Sequence, residues 1–327
     1  MKRSHRWAMA LAASVFMIPA GGYAEWKIQT IDYTSPNWPI TQMGSLNDKG
    51  VVAGLAANSD FSVLLGLTYD SRNGQFTVIP SIPNALSAGT WAISDRGVIA
   101  GFTTFDYVTE VGFVLENNSY EFLVNPSAVS VTEPRGINND GMVAGWSDTA
   151  NGDMAGWIYD PKSKTFTEFL PSGFTIAQGI NSRGDVVGNV SLGAGIAYPG
   201  SPAGDYAFLR NREGEVTYFQ VNGLNTYGRG ITDFGLTTGY ACDSVTCYGF
   251  VAQLARLPFQ AITIPSADLI SVVQGFATTP EGVVILDGWS AGVGFGCGLD
   301  DLAISGNYLD AQGNLHGFVA FYEPASE

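Results

Sequence analysis

Histidine is nearly missing from this sequence. It has two in 327 residues, and one of them, His5, falls in a leader-like segment, which leaves His316 for the body of the chain. Zinc sites draw several His or Cys ligands and a Ser-His-Asp relay needs one placed His. His316 occupies a repeat position held elsewhere by Leu65, Val111, Ala155 and Tyr248, which reads as packing rather than catalysis. Cysteine is almost as scarce: Cys242, Cys247 and Cys297. In "CDSVTC" the first two flank a four-residue loop between expected adjacent strands, where a cross-strand disulfide is geometrically reasonable; Cys297 is left over and reads as buried. Cations are few as well, 15 Lys and Arg against 30 Asp and Glu for a net charge of −15. Such a surface repels phosphate backbones and anionic lipid heads, so nucleic acid and membrane insertion are not expected.

Long hydrophobic runs are also lacking. A transmembrane helix needs roughly 18 uninterrupted apolar residues. The best stretch, residues 8–20, is shorter, follows Lys2, Arg3 and Arg6, and ends in Gly22-Tyr23-Ala24. That is the layout of a secretory signal peptide over residues 1–24. Its removal takes three cations and no acid, moving the net charge to −18, and no Cys follows to accept a lipid anchor. The expected location is secreted or periplasmic.

What the chain has in quantity is glycine, 41 residues, with 15 Pro and 12% aromatics. This composition suits an all-β protein with many tight turns. Its glycines recur in a pattern: "LNDKGVVAG", "ISDRGVIAG", "INNDGMVAG", "INSRGDVVG" and the weaker "ITDFGLTTG" end at Gly54, Gly101, Gly145, Gly188 and Gly239, spaced 47, 44, 43 and 51 residues apart. A period of 40–50 residues marks blades or solenoid units. Each motif is followed by a "GFV"-like element and then an "FTVIP"-like one, joined by turn-rich links, with a longer Pro-containing crossover to the next motif. That wiring predicts a β-propeller whose innermost strand leads into the Asn-Asp turn. The "GFV" elements predict six four-stranded blades; "GFATTPEGVVILDG" and "LDDLAISGNY" leave seven, or an insertion at 289–300, open. "EWKIQTID" at residue 25 resembles an outermost strand, and "HGFVAFYEP" ends on a third strand lacking its fourth. Pairing the two closes the ring of a single domain over 25–327 and removes two sheet edges.

Units of the form Gly-Ile-Asn-x-x-Gly-x-Val-x-Gly followed by His-Gly-Phe resemble the extracellular HAF repeats of secreted bacterial proteins. "GINNDGMVAG" at 136–145 and "ISGNYLDAQGNLHGFV" at 304–319 carry the likeness, and "ITDFGLTTG" departs from it. The resemblance spans nearly the whole mature chain. It implies a secreted repeat protein without an assigned activity.

Chemistry is harder to find. The Asp-box Ser-x-Asp-x-Gly-x-Thr-Trp of sialidase-type propellers is not met by "ISDRGVIAGF". Calcium is the one cofactor to consider, at "SDTANGD", where Asp148, Asn151 and Asp153 offer hard oxygens, although such loops are commonly plain turns. Carboxylate pairs for glycoside hydrolysis or polysaccharide lysis could include Asp233, Asp300 and Asp301, but thirty acids make pairs cheap. One residue before the repeated Ile the chain keeps small residues: Ser45, Ala92, Gly136, Gly179 and Gly230. Two before it the copies disagree, with Gly44, Trp91, Arg135, Gln178, Arg229 and, in the irregular copy, Gln274. Trp, Arg and Gln stack on and hydrogen-bond to sugars and peptides. They are the candidate ligand-binding set near one channel mouth, with packing between blades as the alternative. The expectation is a monomeric, non-catalytic binding module for a glycan or protein; the alternative is a carboxylate-dependent hydrolase or lyase with Arg135 or Arg229 holding an anionic substrate.

Overall fold

The structure, a computed structural model, describes residues 25–169, 173–233, 235–242, 247–253, 262–264, 286–293, 302–309 and 314–323. Among them the regular structure is all strand. Strand β1 (Glu25–Ile31) belongs to the last blade. Blade 1 is β2 (Ile40–Leu46), β3 (Val51–Ala57), β4 (Leu64–Asp70) and β5 (Gln75–Val78). Blade 2 is β6 (Ser87–Ile93), β7 (Ile99–Thr104), β8 (Glu110–Glu116) and β9 (Ser119–Leu123). Blade 3 is β10 (Thr132–Ile137), β11 (Val143–Asp148), β12 (Met154–Asp160) and β13 (Thr165–Phe169). Blade 4 is β14 (Thr175–Ile180), β15 (Val186–Leu192), β16 (Gly204–Arg210) and β17 (Val216–Val221). Blade 5 holds β18 (Asn225–Ile231), β19 (Leu236–Cys242) and β20 (Cys247–Gln253); a short β21 (Ile262–Ile264) follows. Blade 6 is β22 (Leu286–Val293), β23 (Leu302–Leu309), β24 (Leu315–Glu323) and then β1.

The inner strands β2, β6, β10, β14, β18 and β22 neighbour one another in that order, and β22 returns to β2. The fold is a β-propeller with six inner strands among the described residues. Closure is the one expected from the termini: β1 pairs antiparallel with β24 from Glu25 opposite Glu323 to Ile31 opposite Gly317. Just beyond the seam, His316 Nδ1 lies 2.8 Å from Asp32 Oδ1. Blade 6 also grips blade 1 at its inner strand. Asn307 accepts from Met43 N at 2.6 Å and donates to Met43 O at 2.9 Å, while Ser305 donates to Gly44 O at 2.7 Å.

Alternating strand direction sends the first–second and third–fourth hairpins of each blade to one side, the turn face. Second–third loops and blade-to-blade crossovers emerge on the other, the loop face. On the turn face the repeated Asn acts as a clip. Asn138 Oδ1 accepts from Asp140 N at 3.0 Å and Met142 N at 2.9 Å, which shapes its own turn, and its Nδ2 donates to Asn181 O in blade 4 at 2.9 Å. Asn47 reaches Ser94 O and Asn181 reaches Thr232 O in the same way, at 3.0 and 3.1 Å. Ser94 is too short to repeat this, and blade 2 joins blade 3 through Asp95 N donating to Asn139 Oδ1 at 2.9 Å. The turn glycines, such as Gly97 at φ +82°, supply the left-handed step that ends each hairpin.

Small residues around the axis have a steric reason. A Cβ on Gly179 would lie 2.8 Å from Arg229 O, and one on Gly136 would lie 2.9 Å from Gly179 Cα, so neighbouring inner strands touch backbone to backbone. The marker glycines face the inner strand: a Cβ on Gly188 would come 2.0 Å from Ile176 O and 2.7 Å from the Phe208 ring. This couples the Gly of "VVG" to the aromatic of the next strand's "AFL", which rests on it.

One expectation needs correction, and the choice between six and seven blades left open by the sequence falls to six among the described residues. "AITIP" was expected as the outer strand of blade 5, yet Ile262–Ile264 runs parallel to β17 of blade 4, from Phe219 opposite Ile262 to Val221 opposite Ile264. The outer edge of β17 offers unpaired backbone groups, which is what a stray strand seeks. The irregular sixth copy starts at β22, with "LDDLAISGNY" contributing its second strand β23 rather than a seventh blade among the described residues.

Asn138→Asp keeps the acceptor that shapes the turn and removes the donor to Asn181 O, placing a carboxylate beside a buried carbonyl. A loss of about 1–3 kcal/mol is expected in urea denaturation, with a smaller loss for Lys49→Ala, an exposed residue of an equivalent turn.

Candidate functional site

The variable residues ahead of the repeated Ile share one backbone device. In each inner strand the register with the second strand slips by one residue, between Thr90 and Ala92, Pro134 and Gly136, Ala177 and Gly179, and Gly228 and Gly230. Trp91, Arg135, Gln178 and Arg229 are therefore the extra residues of β-bulges, which re-aim a side chain out of the strand's alternation. In blade 6 the slip lies between Gly288 and Ser290, so Trp289 holds the backbone position that the sequence pattern assigned to Gln274. Gln274 lies outside the described residues.

Most bulge side chains meet the residue eleven positions on, next to the marker Gly of the second strand. Trp91 stacks on Phe102 with ring centroids 6.1 Å apart, Gln178 donates to Asn189 Oδ1 at 3.3 Å, and Arg229 donates to Tyr240 Oη at 3.0 Å with its guanidinium 5.1 Å from that ring. Tyr240 stacks on Tyr227 at 4.7 Å, and Tyr227 in turn donates to Asp205. Arg135 crosses to blade 2, its Cζ 4.6 Å from the Trp91 ring. Glu133 joins these two: one of its oxygens accepts from Trp91 Nε1 at 2.8 Å and lies 3.0 Å from Arg135 Nη2. Trp91, Glu133 and Gln178 are buried, and Arg135 nearly so. Burial is the largest influence on the Arg135 guanidinium and opposes its charge; Glu133 offsets it, and Arg229 adds repulsion across the channel. The structure thus brings Trp91, Arg135 and Arg229 into one neighbourhood under cover.

Glu110, which the sequence did not single out, sits at the loop-face edge of that cluster. Its backbone N donates to Ser130 O, tying blade 2 to the crossover into blade 3. Burial, then Glu133, push its carboxyl up to about 7; Arg135 pulls the other way and Asp148 adds to the rise. Asp148 itself is committed to structure. It accepts from Val129 N at 3.1 Å, Ser130 N at 2.9 Å, Ser130 Oγ at 2.6 Å and Val131 N at 2.7 Å. Burial acts to raise its pKa and these donors outweigh it, leaving the carboxyl below the usual range. In the loop of Asp148, Asn151 and Asp153 the Asp148 carboxylate, the first of the oxygens weighed for calcium, is engaged by these donors, as in the plain turn such loops commonly form. Among the described residues no group of three or more His, Cys, Asp or Glu is arranged for a metal.

The turn face carries a cavity of about 220 Å³ where five repeated turns converge, from Leu46-Asn47-Asp48 to Ile231-Thr232-Asp233. It is smaller than the roughly 300–1,000 Å³ of drug-sized ligand sites. Of the acids considered for catalysis, Asp233 lies here and accepts from Ser182 N at 2.6 Å, again joining blades; Asp300 and Asp301 fall outside the described residues. Cys242 stands directly opposite Cys247 across β19 and β20, and Cys297 is outside the described residues.

The two faces differ in what they expose. Lys49, Arg96 and Arg183 in first–second turns, and Arg72, Lys162, Lys164 and Arg212 in third–fourth turns, are exposed on the turn face. Among the described residues the loops of the other face contain no Lys or Arg. They expose apolar side chains instead: Phe61 at 49%, Phe105 at 40%, Tyr107 at 59%, Val108 at 73%, Val124 at 61% and Val129 at 64%. Phe61 and Tyr107 are also strained, at φ +57° and +60°. Their amides bond back three residues, to Asn58 O and Thr104 Oγ1, as the Gly152 amide bonds to Thr149 O in blade 3, where φ is +81°. Two blades thus place an exposed aromatic where a third uses glycine, at about 1–3 kcal/mol each.

No protein-family model matches the chain, and no curated protein is similar to it. Solved structures are. The β-propeller domain of the trilobed protease from Pyrococcus furiosus, described as having an open velcro topology, superposes with a TM-score of 0.50 at 13% identity, over 89% of this chain and 86% of that one. TolB from Acinetobacter baumannii matches with a TM-score of 0.50 at 12% identity, over 86% of this chain and 66% of that one. At such identities the likeness shows the propeller fold alone.

The Glu110 carboxyl gives a signed pH dependence. Its ordinary value is 4.5 and its folded value about 7, so the folded chain holds a proton that the unfolded chain releases between them. Stability falls as pH rises through that window and levels off above it. In thermal melts from pH 4.5 to 8, Glu110→Gln should lose less stability than the parent chain; parallel curves would contradict the assignment.

Proposed function

We propose that this chain is an exported binding module that takes a glycan or protein on the loop face of its propeller and leaves the ligand chemically unchanged. A propeller assigns no function by itself. The observation that carries the reading is the sorting of side chains between faces, with strained, exposed aromatics on one and exposed cations on the other. Large apolar side chains held in water against their preference mark interaction surfaces. Trp91, Arg135, Gln178 and Arg229 lie under that face as its polar support, and Arg135 sets its electrostatics together with Glu133.

The leader-like residues 1–24 and the resemblance to HAF repeats support export, to the periplasm or beyond. In such a compartment the facing Cys242 and Cys247 form a disulfide. Thiol labelling of the denatured protein should then find one reactive cysteine of the three before reduction and all three after it.

One observation favours a second reading, a carboxylate-dependent hydrolase or lyase. Glu110, raised to about 7, lies within electrostatic range of Glu133, and carboxylates in contrasting environments are how an acid and a base are told apart. The two readings separate on the full mature chain screened against a glycan array, candidate proteins, and panels of polysaccharide and peptide substrates. Binding without turnover is expected. Turnover that Glu110→Gln abolishes, with activity falling above pH 7, would establish the second reading instead.

A further inference from the structure

The loop face offers more than exposure; it has a chemical bias. Phe61 and Tyr107 sit at equivalent tips of neighbouring blades, in backbone conformations that glycine would hold more easily. Both tips are fixed from within. Asn58 accepts from Val63 N at 3.0 Å and Asp60 from Ser62 N at 3.1 Å, while Asp106 accepts from Val108 N at 2.9 Å and Thr109 N at 2.7 Å. An aromatic on a rigid tip loses little freedom on binding, which is the economy of a good anchor. Around Tyr107 the apolar surface continues through Phe105, whose ring meets that of Phe122 at 6.2 Å, with Val108 exposed beside them.

The charge around these anchors has one sign. Asp60 and Asp106 belong to these same loops, and no Lys or Arg occurs in the described loops of this face. Among the described residues the exposed cations of the turns lie on the turn face, and Arg135 and Arg229 are held between strands by Glu133 and Tyr240. Opposite potentials steer partners together and like potentials reject them. An anionic glycan is thus disfavoured, and aliphatic neighbours such as Val108 suit a polypeptide better than a sugar ring.

We propose that the loop face of blades 1 and 2 docks a polypeptide segment that carries Lys or Arg among aromatic or aliphatic side chains, with Phe61 and Tyr107 as its anchors. The proposal rests on the binding reading above and names the partner class for the same face. The acids meet the cations at the rim and the anchors supply the apolar contact, the arrangement of a central hot spot inside a polar surround.

The test pans a phage-displayed random dodecapeptide library on the immobilised full mature chain, then measures synthetic versions of the enriched peptides by fluorescence anisotropy. Enriched peptides should combine Lys or Arg with aromatic residues, and affinity should fall about tenfold or more in Phe61→Gly with Tyr107→Gly. Glycine suits both backbones, so the melting temperature should not drop; Phe61→Asn with Tyr107→Asn, also tolerant of positive φ, provides a second pair should it do so. Acidic or uncharged enriched peptides, or an affinity that neither pair changes, would overturn the proposal. So would self-association in sedimentation that the same substitutions abolish, which would give the face to a second copy of the chain. Glycan binding weakened by the same substitutions would leave the binding reading standing and remove the polypeptide, whereas loss of all binding alongside measurable turnover would remove both.

Discussion

The buried asparagine amide of the repeated turn is the interaction on which the rest depends. A propeller blade cannot bury its faces alone and needs its neighbours. Hydrophobic packing between blades is strong but undirected, so something must fix the angle and height at which one blade meets the next. Asn47, Asn138 and Asn181 do this by shaping their own turns with the side-chain oxygen and reaching a carbonyl of the following turn with the side-chain nitrogen. One residue type thereby links local geometry to assembly. Where Ser94 interrupts the series the junction keeps the second bond, Asp95 N to Asn139 Oδ1, which matches Asp48 N to Asp95 Oδ1 and Ser182 N to Asp233 Oδ1 at the junctions that also have the asparagine.

With the turn face locked, the inner strands can tolerate a bulge. The slip in register frees one side chain per blade from the alternation, and these side chains were the part of the repeat free to vary. Their variation has a partner: Trp91 with Phe102, Gln178 with Asn189 and Arg229 with Tyr240 are chemically matched pairs. Much of the disagreement among copies is thus packing solved separately in each blade. Blade 3 is the exception, because Arg135 turns to Trp91 and Glu133 and brings a charge pair into the cover of the channel. Buried pairs of this kind return little net stability, so the arrangement is more informative about the electrostatics under the loop face than about folding.

The fold was legible because its determinants are local and repeated. Asn, Gly and the "GFV" aromatic recur at a fixed period, and the closing strand could be assigned because each chain end lacked what the other had. The bulges were hidden, since an extra residue in a hydrogen-bond ladder leaves the sequence period unchanged. The constant separation of eleven residues between bulge and partner is the signal that could have exposed them. Glu110 was invisible for a different reason: it sits outside the repeated motif, and its environment is assembled from Glu133, Arg135 and Asp148, residues distant in sequence. Asp148 was ambiguous by composition, because a loop rich in Asp and Asn offers oxygens to a backbone as readily as to a cation.

The segregation of charge follows from the repeat itself. Lys49, Arg96 and Arg183 are internal to the Asn-Asp-Gly turns, so each copy that carries a cation delivers it to the same face. The crossovers and second–third loops are under no such constraint and vary in length and character from blade to blade. A repeat that puts its exposed cations in its structural turns leaves the described loops of the other face with acids alone, and apolar residues in those loops then stand in a field of a single sign. The loops are free to diverge over a ring that is not, and Phe61 and Tyr107, set where glycine would be the easier choice, are where that divergence puts exposed aromatics.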